Sequence, residues 1–283
     1  MARQQSGVNT RGLGLELQRL RKELTKLSVA AVGEALGTSG STISRIETGK
    51  REPTSEEVAS ILTVLGVKGV ERERMIDQAR RQTESGLVEN TTSTEQSRNF
   101  LNFEQRATGI TDFELMLVPG LAQTTDYAHA VLSTLRVNDT EADTEAWVGQ
   151  RMRRQAILTR RTPPALHWIL TELGLRQPIG GSKVMARQIR HLIELAERPN
   201  ITINMIPAKV VEHPGLLGQF LIMDFAADST VVYVEAKTTG LFLDDEDKVE
   251  LYRLTVKKLT DLALDEQASV RLLRSIASDL ERG

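Results

Sequence analysis

The stretch "LGTSGSTISRIETGK", Leu36 to Lys50, decides how the first part of the chain folds. Glycines stand near both ends, at Gly37 and Gly49, with hydroxyls between them. When Ile43 and Ile46 point inward at helical spacing, Ser41, Thr42, Ser44 and Arg45 remain outside. Thr38 or Ser39 supplies the N-cap, and Gly49 ends the helix where a positive φ is needed. Short hydroxyls let a helix sit deep in a major groove, and arginine is the usual bidentate reader of guanine. The stretch predicts a short exposed helix that reads DNA bases.

Working upstream, Ser28 caps a second helix with Val29, Val32 and Leu36 on one face, stopped by Gly37. Two helices joined by a short glycine-containing turn are a helix-turn-helix pattern. Gly33 supports it. A glycine inside a helix costs about 1 kcal/mol relative to alanine, and a missing side chain there lets the two helices cross closely. Leu13, Leu17, Leu20 and Leu24 predict an earlier amphipathic helix, with Arg19, Arg21 and Lys22 on its other face. Downstream, Lys50 and Arg51 are placed to neutralise phosphates. Thr38 and Ser39 sit at a helix N-terminus, where backbone N–H groups favour an anion. Thr54 or Ser55 opens a fourth helix carrying Val58, Ile61, Leu62 and Leu65, and a fifth runs from about Lys68 to Thr83.

The longer stretch "LGTSGSTISRIETGKREPT" resembles the helix-turn-helix of XRE-type regulators, which include the lambdoid phage repressors. The resemblance covers residues 13–66. It implies that Ser41, Ser44 and Arg45 touch bases, with Gly40 and Thr42 beside them. Two positions depart from the family pattern: Gly40 stands where a Gln often reads a base, and Val29 where a polar residue often touches phosphate. Glu47 is expected to be structural, tying the helix end to the following turn.

The chain has 283 residues, which suits two domains. Hydrophobic content of 40% is enough for real cores, and aromatics at 4% leave the packing to Leu, Ile, Val and Ala. Net charge is −2, but residues 1–55 carry nine basic against five acidic side chains, and residues 85–283 carry 22 against 27. This predicts a basic functional end on an acidic body. The absence of cysteine excludes disulfides, thiolate metal sites and cysteine nucleophiles. No apolar leader or membrane span is read, so a cytoplasmic protein is expected. The four histidines show no metal-ligand spacing, and neither a metal nor a cofactor is expected.

The domain boundaries read as a DNA-binding head at 1–84, a polar, Ser/Thr-rich linker at 85–99 and a larger domain at 100–283. The linker reading rests on "ESGLVENTTSTEQSR", Glu84 to Arg98. In the larger domain a helix carries Tyr127, Val131 and Leu132, and another runs from Glu145 to Arg161. "ALHWILTE", "NITINMIP", "GQFLIMDF", "TVVYVEA" and "TGLFL" read as strands, and helices follow at 182–198, 245–264 and 266–281. The class is α+β, with a small, mostly antiparallel sheet flanked by helices. "RMRRQAILTRR" reads as a solvated basic helix face, and "IGGSKVM" as a turn and cap. Tyr127, Arg151, Arg154, Glu172 and Glu235 are candidate effector-binding residues, with structural ion pairing the competing role for the two glutamates.

The segments "FELMLVPGLAQTTDYAHAVL", "HWILTELGLRQPIGG", "RPNITINMIP" and "HPGLLGQF" resemble, in order, the C-terminal domain of actinobacterial WhiJ-like regulators. That resemblance implies a developmental or secondary-metabolism regulator, encoded beside a small partner protein. The expected function is a sequence-specific transcription regulator that binds double-stranded DNA as a homodimer and receives a small-molecule effector or a partner protein. The alternatives are an antitoxin-like component of a two-protein module, and an enzyme of unrecognised type with a helical head.

Overall fold

A computed structural model of the chain describes residues 8–84, 93–237 and 239–282. The chain forms two compact units, residues 1–102 with 236–244 and residues 103–235 with 245–283.

The first unit is helical: α1 (Val8–Leu20), α2 (Val29–Ala35), α3 (Gly40–Glu47), α4 (Ser55–Val64), α5 (Gly69–Glu84) and the start of α6 (Ser93–Arg106). Local chemistry sets the boundaries. Ser28 Oγ accepts from the Ala31 amide and Ser39 Oγ from the Thr42 amide, each at 3.1 Å. Thr54 and Glu57 form a reciprocal capping box at the start of α4. Gly37 and Gly49 take φ of 66° and 69°, as the helix ends require. Leu13, Leu17, Val32, Ile43, Ile46, Val58, Leu62 and Met75 form one buried core. The expectation for Gly33 holds: a Cβ there would stand 2.8 Å from the Gly40 nitrogen.

Two expectations for the first helix fail, one through the phase of the chain and one through a distant partner. After Leu20 the chain makes a π-helical turn, Arg21–Thr25, ended by Lys26 at φ 57°. The wider turn shifts the phase of the side chains. Leu24, expected inward, is 58% exposed, while Arg21, expected in solvent, is only 9% exposed. Arg21 meets the buried carboxylate of Glu47 at the end of α3, with Nε to Oε1 at 2.6 Å and Nη2 to Oε2 at 2.8 Å. Its Nη1 donates to the Leu27 carbonyl at 2.7 Å, next to the start of α2. Glu47 is structural, as expected, but its partner lies before α2 and not in the following turn.

The polar segment at 84–98 is also corrected. Residues 93–98 begin α6, because Glu, Gln and Arg are good helix formers whatever their neighbours' polarity. Residues 85–92 of that linker reading lie outside the described residues.

The second unit carries β1 (Gly109–Glu114), α7 (Thr125–Leu135), α8 (Glu141–Arg154), β2 (Ala165–Thr171), α9 (Glu172–Leu175), α10 (Ser182–Leu195), β3 (Ile201–Ile206), β4 (Phe220–Asp224), β5 (Val231–Glu235), α11 (Glu246–Leu262) and α12 (Glu266–Arg282). With β6 (Gly240–Leu243) the sheet order is β3-β2-β1-β4-β5-β6. The α+β class holds, and the sheet is mixed where mostly antiparallel pairing was expected. β1, β2 and β3 pair in parallel because helices connect them. β4 pairs antiparallel with β1 and with β5. β1, the central strand, has no counterpart in the sequence reading.

The outer edge of β3 is closed by the α11–α12 turn. The Met205 amide donates to Ser269 Oγ at 2.9 Å, and the Leu264 amide donates to the Met205 carbonyl at 2.8 Å. Asn204 Nδ2 adds a bond to the Leu264 carbonyl at 2.8 Å.

Removing one partner of a buried ion pair leaves the other charge uncompensated, at a cost of about 3–5 kcal/mol. Glu47→Ala is therefore expected to destabilise the helical unit by that order, while the double replacement Arg21→Met, Glu47→Leu stays near wild type. Denaturant unfolding of the three proteins checks this, and equal losses in the single and double variants would show that the pair itself carries the stability.

Candidate functional site

The exposed stripe of α3 follows from helix geometry. Ser41, Ser44 and Arg45 stand at i, i+3 and i+4, opposite the buried Ile43 and Ile46. Ser41 and Arg45 are exposed and Ser44 is partly so. Thr42 lies at the edge of this stripe, and its hydroxyl is 3.0 Å from Ser39 Oγ. Thr38 and Ser39 are exposed at the helix start, but Ser39 Oγ is spent on the cap. Gly40 does not share this exposed stripe. It opens α3 against α2, where a Cβ would stand 2.9 Å from Ala30 Cα. A glutamine side chain has no room there, which gives this departure from the XRE pattern its physical reason.

Past the helix, Lys50 is exposed. Arg51 is partly engaged: its Nη2 donates to Glu57 Oε1 at 2.6 Å and its amide to the Arg45 carbonyl at 3.0 Å. The two basic residues read together in the sequence thus differ in engagement, Lys50 exposed and Arg51 held by Glu57.

A second cluster lies on one face of the sheet. Ile110, Asp112 and Glu114 alternate onto that face of β1. The registers Asp112↔Trp168, Asp112↔Leu221 and Leu221↔Tyr233 put Trp168 and Tyr233 on the same face. Arg154 of α8 turns inward and binds the buried Glu104 with two bonds, of 2.8 and 2.6 Å. Arg151 Nη1 donates to Gln123 Oε1 at 2.7 Å. The basic face of "RMRRQAILTRR" is therefore not simply solvated, because two of its guanidiniums point into the domain.

Of the five candidate effector residues, four come together. Tyr127 feels the charges of Glu114 and Arg151, and Arg151 feels those of Arg154, Glu235 and Glu114. Glu172 stands apart. As the first residue of α9 it accepts from Arg176 Nε and from the Ala208 amide, each at 2.8 Å, which is the structural pairing role. The sequence reading missed Asp112, Glu114, Glu104 and Gln123. Alternation in "ITDFEL" was the available signal for the first two.

Burial dominates the electrostatics of this face. It pushes Asp112 up to about 7 against the pull of Arg154, with the charges of Glu104 and Glu235 adding to the rise. It also raises Glu114 well above the carboxylate range, helped by the charges of Asp112 and Glu235. Desolvation lowers Arg151 to about 10 and raises Tyr127 to about 12.

Comparison with known proteins gives two family matches. Residues 12–75 match a helix-turn-helix domain family, which supports a DNA-binding regulator over an enzyme. Residues 97–275 match the family described as a domain of unknown function (DUF5753), and the chain belongs to that family. No curated protein sequence and no solved structure matches the chain. No helix among the described residues is long and apolar enough to cross a membrane.

Asp112 sets a pH dependence with a definite sign. The unfolded carboxyl ionises near its ordinary value of 3.8, while the native one keeps its proton to about 7. The native state binds more protons across that window, so stability falls as pH rises through it, by about 1.4 kcal/mol per unit of separation. Asp112→Asn removes this loss. Its melting temperature is expected to exceed wild type at about pH 8, with the gap narrowing toward about pH 5. Calorimetry at the two pH values checks this, and a pH-independent gap would mean that the carboxyl is not held neutral.

Proposed function

We propose that this DUF5753-family chain is a sequence-specific, dimeric transcription regulator, with α3 as its reading helix and the second unit as an effector-receiving domain. The observation that carries the reading is the exposed stripe of Ser41, Ser44 and Arg45 on the second helix of a helix-turn-helix. Arg45 has no ion-pair partner among the described residues, so its guanidinium is available for a bidentate base contact. Thr42 borders the stripe, while Thr38, Ser39 and Lys50 surround it as backbone contacts, with Arg51 a weaker one.

A homodimer fits this function, since one short helix reads few base pairs and two-fold symmetry doubles them. Exposed Leu251 and Leu254 on α11 supply apolar surface for it. The resemblance to WhiJ-like actinobacterial regulators adds a developmental or secondary-metabolism role and a small partner protein as an alternative to a small-molecule effector.

A genome-wide map of bound sites supplies the operator, and mobility-shift titration at several salt concentrations tests the residues. Arg45→Ala is expected to cost about 1–3 kcal/mol at the operator and to relax discrimination against random DNA. Lys50→Ala should weaken binding to all sequences alike and reduce the salt slope by about one. Arg51→Ala should do so less, because Glu57 already holds that side chain. Unchanged discrimination in Arg45→Ala would remove it from base reading. Light scattering of the full chain tests the dimer: a monomer at micromolar concentration that still binds a half-site tightly would rule it out.

A further inference from the structure

Asp112 and Glu114 lie side by side on one face of the central strand, and neither has a hydrogen-bond partner among the described residues. Glu114 Oε2 is shut off from solvent without a donor. Two more buried polar atoms share the condition, Tyr127 Oη and Trp168 Nε1, and both residues are fully buried. The Val118 amide influences the Tyr127 hydroxyl but stands outside bonding geometry. Buried polar atoms are paired in the great majority of native structures. The unpartnered acceptors, Glu114 Oε2 and Tyr127 Oη, point to a hydrogen-bond donor that completes them, while Trp168 Nε1–H, itself a donor, adds only its ring to this face.

The charges around this spot select the kind of group. Arg154 is held by Glu104 through two bonds and also acts on Asp112 and Glu235, and Arg151 acts on Glu114 and Glu235, so four carboxyl groups face two guanidiniums. Carboxylates are in excess, which favours a positive ligand over an anion. A single metal ion fits poorly. Among the described residues, the one trio able to bring ligand atoms within 4.8 Å of one another is His129, Glu141 and Glu145, elsewhere on the surface. A wider cation with several N–H donors can reach carboxylates that stand further apart. Aromatic rings on the same side suit its carbon frame and its charge. Glu235 is exposed and Glu114 and Arg151 are partly so, which gives the ligand a way in.

We propose that the sheet face carrying Asp112, Glu114 and Glu235 binds a small organic ammonium, whose N–H groups bond the Asp112 and Glu114 carboxylates and whose carbon frame lies among Tyr127, Tyr233 and Trp168. The inference rests on the reading of this unit as effector-receiving. Without ligand, protons take the place of the cation, since burial favours neutral Asp112 and Glu114. The charged and titratable groups facing them are Glu104 on α6, Tyr127 on α7, Arg151 and Arg154 on α8, and Tyr233 and Glu235 on β5. Binding therefore releases protons, and affinity rises from about pH 5 to about pH 8.

The test uses the full chain and three probes of one shape: benzylammonium, benzyl alcohol and benzoate. Calorimetric titration at about pH 8 is expected to give a dissociation constant near 1 mM or tighter for benzylammonium, and no binding of the other two. Asp112→Asn and Glu114→Gln should each weaken the ammonium about tenfold or more while keeping the far-ultraviolet spectrum and melting cooperativity of the native fold. Benzoate binding as tightly as benzylammonium, no ammonium binding at about 10 mM, or affinity unaffected by either variant would overturn the site. Operator affinity in the presence of benzylammonium is a separate readout. If the ammonium binds and both variants weaken it but DNA affinity stays constant, the site stands and the effector role falls.

Discussion

One buried ion pair fixes the geometry on which the first unit depends. Arg21 sits beyond α1, Glu47 ends α3, and the third guanidinium nitrogen holds the Leu27 carbonyl just before α2. A planar fork with three fixed acceptors leaves little freedom in the angle between these segments. Arg21 opens the π-helical turn four residues after the buried Leu17, so helical spacing carries it to the inner side, and the wider turn re-aims the residues that follow it. The crossing of α2 and α3 is then set by backbone contact between Gly33 and Gly40, so α3 is presented on a rigid base.

How much of this was legible depends on how local each cause is. The caps at Ser28, Ser39 and Thr54 and the glycine stops at Gly37 and Gly49 act within four residues, and sequence alone located Ser28 and the two glycines and narrowed the other caps to Thr38 or Ser39 and Thr54 or Ser55. The burial of Arg21 has its cause 26 residues away in Glu47, and its charge alone assigned it to the wrong face. Gly40 shows the same division. Its resemblance to a reading position is a property of the family pattern, while its contact with Ala30 is a property of two helices brought together. In the second unit β1 went unread because Asp112 and Glu114 on one face and the buried Phe113 on the other leave a short, polar stretch without the apolar run of the other strands. Four of the five candidate effector residues did converge, Tyr127, Arg151 and Arg154 from α7 and α8 and Glu235 from the end of β5, whereas Glu172, which also ends an apolar strand, is held by Arg176 and the Ala208 amide.

The sheet face of the second unit breaks the rules that the rest of the domain obeys. Elsewhere buried charges are matched, as Glu104 is by Arg154. Asp112 and Glu114 are unmatched on the most central strand, where a pair of aliphatic residues would be more stable. Proteins keep such local conflicts where function needs them. On the proposed reading, the stability they forgo and their affinity for a cation come from the same desolvation.

The closure of β3 by Ser269 and Leu264 has a consequence for the order in which the domain matures on the ribosome. All three parallel strands are synthesised before residues 264–269 emerge, so β3 spends that interval with an open row of backbone donors and acceptors. Parallel pairing is slow in any case, and an open edge invites another nascent chain to add a strand. Translation speed through α11, and any chaperone that shields the edge meanwhile, thus bear directly on the yield of correctly folded protein.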